Sequence, residues 1–161
     1  MLNAQQTLDH ILFRAGHVED AEQIVDLYRE FFHVSDLPEL GLTFSTGNAM
    51  RWVERVIETA SHPHILAIDR TANHAVGVIN YAIDRSAAEP YAYLDKFYVV
   101  PAWRLSAIGR VLLHLAMDDA KADGCVAFRA GLSAGAPFSK NLFTRLGFHE
   151  TPASVLMARR L

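Results

Sequence analysis

The stretch Leu94-Asp95-Lys96-Phe97-Tyr98-Val99-Val100-Pro101-Ala102-Trp103-Arg104-Leu105-Ser106-Ala107-Ile108-Gly109-Arg110 decides how this chain reads. Its first part is apolar and aromatic, a β-strand run that carries one acid, Asp95. Pro101 has no N–H to donate, so ladder pairing stops there. Arg104 to Ala107 reads as a short loop. From Ile108 onward Val111, Leu112, Leu115 and Ala116 recur at helical spacing. A strand, a loop and a helix start in that order aim the free backbone N–H groups of a helix N-terminus at one spot, with the guanidinium groups of Arg104 and Arg110 nearby. Such a spot suits a phosphate or pyrophosphate. A phosphate cradle beside a strand-borne carboxylate predicts an enzyme that uses a phosphorylated cofactor.

The bulk composition is compatible with that expectation. The chain has 161 residues, the size of one domain with one core, and a single domain over 1–161 is expected. Hydrophobic residues make up 51% and charged residues 20%, a globular composition. The formal net charge of −3 argues against broad nucleic-acid binding, which needs a basic surface. With one Cys, Cys125, no internal disulfide can form. Met1 to His10 lacks the basic and then apolar pattern of a signal peptide, and no apolar run is long enough to span a membrane. A cytoplasmic protein that engages neither membrane nor nucleic acid is expected. His62-Pro63-His64 is the one close histidine pair, with neither Cys nor carboxylates at ligand spacing, so no metal is expected.

Around the central stretch the chain punctuates clearly. Ile11 to Ala15 predicts a first strand. Val18 to Phe32 predicts a helix, and His33 to Phe44 a loop. A second helix is marked by Ala49, Met50, Val53, Val56 and Ile57, with Ser45 or Thr46 as its cap. His64 to Asp69 and Val76 to Asp84 read as strands, and Gly77 marks a close backbone approach. Tyr91 to Val100 follows a turn and is expected antiparallel to its predecessor. The helix after it is expected to end at Gly124 in a left-handed cap. A strand over Cys125 to Ala130, a helix opened by Gly135-Ala136-Pro137 and closed by Gly147, and a last strand over Ser154 to Arg160 complete the order. The sum is a mixed sheet with helices on both faces, in the α+β or α/β class.

That order, together with Arg104-Leu105-Ser106-Ala107-Ile108-Gly109, resembles the GNAT superfamily of acyl-CoA-dependent N-acyltransferases. The motif is similar to the family's loop: Arg or Gln, two residues, Gly, one residue, then Gly or Ala. Phe97 to Pro101 resembles the family's strand-to-loop junction, and Leu142 to Phe148 its final helix running into Gly-Phe. The first loop glycine is replaced by Ala107, and Leu105 stands where Gly is common. Alanine costs little if φ is negative there, whereas positive φ would strain it. Phe143 stands where many members carry a tyrosine acid.

The resemblance implies a mostly antiparallel central sheet with splayed strands, acetyl-CoA as co-substrate, and transfer to a primary amine of a small molecule or peptide. It implies Asp95 as general base, with its aromatic neighbours Tyr93 and Phe97 lowering the polarity around it; read from the residues alone, Asp95 instead pairs with Lys96 or caps a turn. Val99 would offer a backbone N–H to the thioester carbonyl. Arg104 and Arg110 would flank the diphosphate, held by the amides from Leu105 through Ile108 and Gly109. Ser106 is expected to add a hydroxyl or to cap the helix, and Tyr98 or Ser139 to serve as a proton donor. Phe97, Phe143 and Asn141 are expected beside the cofactor, and Lys140 within reach of it. The residues from Phe32 and His33 to Phe44 would shape the acceptor pocket. Members often pair through edge strands, which leaves a homodimer open. A non-catalytic acyl-CoA sensor is the alternative in a different class.

Overall fold

The computed structural model describes residues 8–132 and 137–151, with the side chains of 137–139 left out of that description. Five strands form one sheet in sequential order. They are β1 (Ile11–Ala15), β2 (His64–Asp69), β3 (His74–Asp84), β4 (Tyr91–Val99) and β5 (Ala127–Ala130). The β1/β2, β2/β3 and β3/β4 pairs are antiparallel, and β4/β5 is parallel. A parallel pair needs a crossover, and α3 (Ile108–Ala122) supplies it. Helices α1 (Ala21–Val34) and α2 (Thr46–Glu58) cover one face of the sheet. Helix α3 covers the other, with α4 (Pro137–Arg145) beside it.

The two faces hold separate cores. Ile24, Val25, Leu27 and Tyr28 of α1 pack with Val53, Leu66, Val78 and Tyr98. Ile108, Leu112, Leu113 and Ala116 of α3 pack with Ile79, Tyr81, Leu94 and Phe143. Strands β2 and β3 lie between both layers, which is why they read as continuous apolar runs. A side chain at Gly77 would press on Leu112 Cδ1 at 3.2 Å and Tyr98 O at 3.4 Å, so its absence lets α3 settle on the sheet.

Several boundaries move for identifiable reasons. Val18–Asp20 is a 3₁₀ turn, and the α-helix begins only at Ala21. The Asp20 carboxylate receives Arg14 (2.6 and 2.7 Å) and the His17 amide (2.8 Å), which anchors that turn. Ser45 caps α2 by accepting the Asn48 N–H at 3.3 Å. Gly124 has φ +85°, and the Cys125 amide still bonds back to Ala120 O at 3.0 Å. That cap delays β5 to Ala127, two residues after Cys125. Strand β3 starts at His74, ahead of the expected Val76. Gly135 and Ala136 and the strand expected over Ser154 to Arg160 lie outside the described residues.

Candidate active site

The site is built on an irregularity in β4. Leu94 pairs with Tyr81 and Lys96 with Asn80, so Asp95 has no partner across the ladder. One extra residue reverses the alternation of side chains. Leu94 faces the α3 core, and after the bulge Phe97 and Val99 face it again, while Tyr98 belongs to the α1 and α2 core. Lys96 likewise lies on the α1/α2 side, its Nζ 4.4 Å from the Trp52 ring centroid and 5.1 Å from that of Tyr28.

Pairing with β5 ends just before the bulge, at Leu94 and Ala130, although β4 runs on to Val99. The two strands therefore part over Asp95 to Val99, a length of roughly 13 Å. The Val100 amide donates to Val76 O at 3.0 Å. By alternation the amides of Phe97 and Val99 point away from β3, into the parting. The carbonyl of Val99 on that side accepts Arg104 Nε at 2.9 Å, and the Val99 N–H beside it takes no partner among the described residues.

The parting leads to the start of α3. Ala107 is the N-cap residue at φ +67°, with its carbonyl taken by the Val111 amide at 3.0 Å and no side-chain cap. The amides of Ile108, Gly109 and Arg110 are thus the open donors of the first turn. Both substituted loop positions are left-handed, Leu105 at φ +65° and Ala107 at φ +67°. The negative-φ case, in which alanine costs little, does not hold, and the loop carries the strain of two left-handed side-chain-bearing residues. Ser106 is not the cap either, because its hydroxyl donates to Trp103 O. A Cβ on Gly109 would meet Phe97 Cζ at 3.1 Å, so this glycine admits the strand's aromatic ring.

The other expected residues divide. Arg104 lies back on the strand, its guanidinium carbon 5.3 Å from the Tyr98 ring centroid. Arg110 and Asn141 are exposed. Phe143 is fully enclosed, its centroid 6.1 Å from that of Phe97 and 4.9 Å from that of Phe148. Lys140 is ion-paired with Glu150 instead of reaching toward the cradle. The Tyr98 hydroxyl donates to Glu30 Oε2 at 2.9 Å. Burial, and then that carboxylate, raise its pKa above the ordinary phenol value, so it holds its proton and is a poor acid.

Asp95 is not enclosed by Tyr93 and Phe97. Its carboxylate is ion-paired with Lys96 Nζ at 2.6 Å and receives Asn80 Nδ2 at 3.4 Å. Asn80 is wholly buried, and its Oδ1 has no partner among the described residues. Next along the row, His64 Nδ1 donates to His62 O at 2.7 Å, so Nε2 accepts the Tyr28 hydroxyl at 2.7 Å. Burial pushes the His64 imidazole down to a pKa of about 4. Asn80 had a signal in the sequence, a polar residue inside an apolar strand run. Trp52 and Glu30 had none, since both reach the site across the fold. A groove of about 370 Å³ lies between α1 and the following loop, lined in part by Arg29, Phe32, His33, Leu42 and Phe44.

Among the described residues, no cluster of three or more metal-ligating side chains is present, and no helix is long and apolar enough to cross a membrane. Comparison with known proteins agrees with the geometry. An aminoglycoside N(6')-acetyltransferase type 1 from Acinetobacter genomosp. 13 is 25% identical over 114 residues, covering 68% of this chain and 77% of that protein. The crystal structure of aminoglycoside N-acetyltransferase AAC(6')-Iy in complex with CoA superposes with a TM-score of 0.77 at 16% identity, covering 94% of this chain and 96% of that one. AAC(6')-Ih from Acinetobacter baumannii gives 0.73 at 19% identity, covering 94% and 99%. The family profile described as acetyltransferase (GNAT) family matches residues 21–148. A splayed β4/β5 pair, an open helix start and this match over most of the chain place the protein in the acetyltransferase (GNAT) family, as an acetyl-CoA-dependent acyltransferase.

Proposed function

We propose that this protein transfers an acetyl group from acetyl-CoA to a primary amine of a small molecule, with Asp95 as the base. The observation that carries the reading is the parting of β4 from β5 over Asp95 to Val99, which begins at a carboxylate, passes the outward-pointing Val99 N–H and leads to the start of α3. Acetyl-CoA supplies the activated acyl group as a thioester. The amides of Ile108, Gly109 and Arg110 hold its diphosphate, with Arg110 and a re-aimed Arg104 as counter-charges. The Val99 N–H faces the acyl carbonyl oxygen, where a preorganised donor is typically worth about 3 kcal/mol of barrier. Phe97, backed by the enclosed Phe143, walls the cleft on the α3 side and keeps water out.

Asp95 takes the proton of the incoming amine, directly or through water. An alkylamine has a pKa near ~10.4 and is protonated at neutral pH, so a nearby acceptor is needed. A thiol leaving group has a pKa near ~8.5 and departs without an acid. Tyr98 then has no proton to give, and its part is to position Glu30 and Arg104. The acceptor enters over the α1/α2 side, past the groove at Phe32 and Phe44.

The test is a thiol-release screen over primary amines, headed by aminoglycosides because the relatives act on them. Titration calorimetry with acetyl-CoA accompanies it. Asp95→Asn should cut the rate at least a hundredfold and leave acetyl-CoA affinity within about threefold. Tight binding with no turnover on any amine, unaltered by Asp95→Asn, would instead favour a non-catalytic sensor. The two left-handed non-glycine residues of the loop are what keep that alternative open.

A further inference from the structure

Lys96 occupies a place that a substrate amine fits. Its ammonium lies over Trp52 at 4.4 Å and Tyr28 at 5.1 Å, and its charge is met by Asp95 at 2.6 Å. Two aromatic faces and one carboxylate around a cation make a recognition pattern for an alkylammonium. The bulge produces it: without the extra residue, Lys96 would share the face of Leu94 and point into the α3 core. The seat is reachable, since the side chains of Lys96 and Asp95 are 26% and 34% exposed. It is also incompletely satisfied, because Asn80, whose amide nitrogen contacts Asp95, keeps a buried Oδ1 with no donor among the described residues.

We propose that the seat formed by Trp52, Tyr28 and Asp95 is the subsite for the acceptor's primary ammonium, and that Lys96 is a tethered occupant which the acceptor displaces. The inference rests on Asp95 lying in the acetyl-transfer site. Lys96 shows which ligand fits: a primary amine on an unbranched methylene chain that lies along an aromatic face. The displaced Lys96 swings toward solvent, and the incoming N–H groups meet Asp95 and come within reach of Asn80 Oδ1. A tethered competitor acts at millimolar effective concentration, so it weakens acceptor binding and filters out poorly fitting amines. Removing it should tighten acceptor binding and broaden acceptance.

The test uses the full chain and propylammonium chloride, read by the ¹⁵N indole resonance of Trp52, with Trp103→Phe to assign it. In Lys96→Ala the resonance should shift saturably, with a midpoint at least fivefold lower than in the unaltered protein at matched ionic strength. Lys96→Met serves if the alanine variant does not fold. Adding Asp95→Asn should abolish the shift. No saturable shift in Lys96→Ala or Lys96→Met, or equal midpoints with and without Lys96, overturns the proposal. The thiol-release screen separates the two readings. A seat that binds propylammonium in a protein that acetylates no amine leaves the subsite standing and removes the transfer reading. Turnover lost in Asp95→Asn, with no ammonium bound at Trp52, does the reverse.

Discussion

His64 makes the stability of this fold depend on pH between about 4 and 6.5. The imidazole is 4% exposed and is neutral, with Nδ1–H on the His62 carbonyl and Nε2 receiving the Tyr28 hydroxyl. Burial lowers its pKa from 6.5 to about 4 against the opposing hydrogen bond to the His62 carbonyl; the Lys96 and His62 charges add to the lowering, and Asp95 opposes it. Between these values the unfolded chain binds a proton that the folded one refuses, so stability rises with pH. The stabilisation is fully present above about pH 6.5 and is lost as the pH falls toward 4. Full loss is about 3 kcal/mol at ~1.4 kcal/mol per pH unit, and roughly 2 kcal/mol is gone by pH 4.5. Urea unfolding at pH 7 and pH 4.5, for the native sequence and for His64→Gln, isolates this contribution by subtraction. The window stays above the range where Asp20, whose carboxyl Arg14 holds low, begins to contribute. If both proteins lose the same stability, or if the His64 ring titrates near 6.5 by NMR, the account of this buried row is wrong.

The cradle yields two further predictions. Leu105 is 94% exposed at φ +65°, so Leu105→Gly gives up no packing. A left-handed side chain costs ~1–2 kcal/mol and glycine adds ~0.4–1 kcal/mol of unfolded-state entropy. The variant should gain about 0.5–1 kcal/mol in urea unfolding, and Ala107→Gly should match it; a loss would mean the loop is not left-handed. Arg104→Ala with Arg110→Ala should weaken coenzyme A at least tenfold more than a pantetheine fragment without the diphosphate. Calorimetry showing equal losses would move the phosphate site elsewhere.

Much of this protein was legible because its signals are local. Pro101, the apolar positions from Ile108 and the Gly124 cap each mark an element through the backbone conformation they permit. The motif from Arg104 to Gly109 pointed to the cradle, and the helix start lies there. The two loop substitutions were visible as departures, but the sign of φ at Leu105 and Ala107 was not. Sterics alone favour negative φ for both, and closure of the loop between β4 and α3 overrides that preference.

By itself, then, the linear order determined the succession of the described elements, the place of the helix start proposed to hold the diphosphate and the presence of a strand-borne acid. Each depends on residues within a turn or two of one another. Only tertiary structure decided what Asp95 faces. A single unpaired residue against Asn80 and Tyr81 turned Lys96 toward Trp52 and Tyr28, and so gave the carboxylate a cation instead of an aromatic shell. Strand register depends on how two distant segments pair, and a one-residue slip exchanges the faces of everything beyond it.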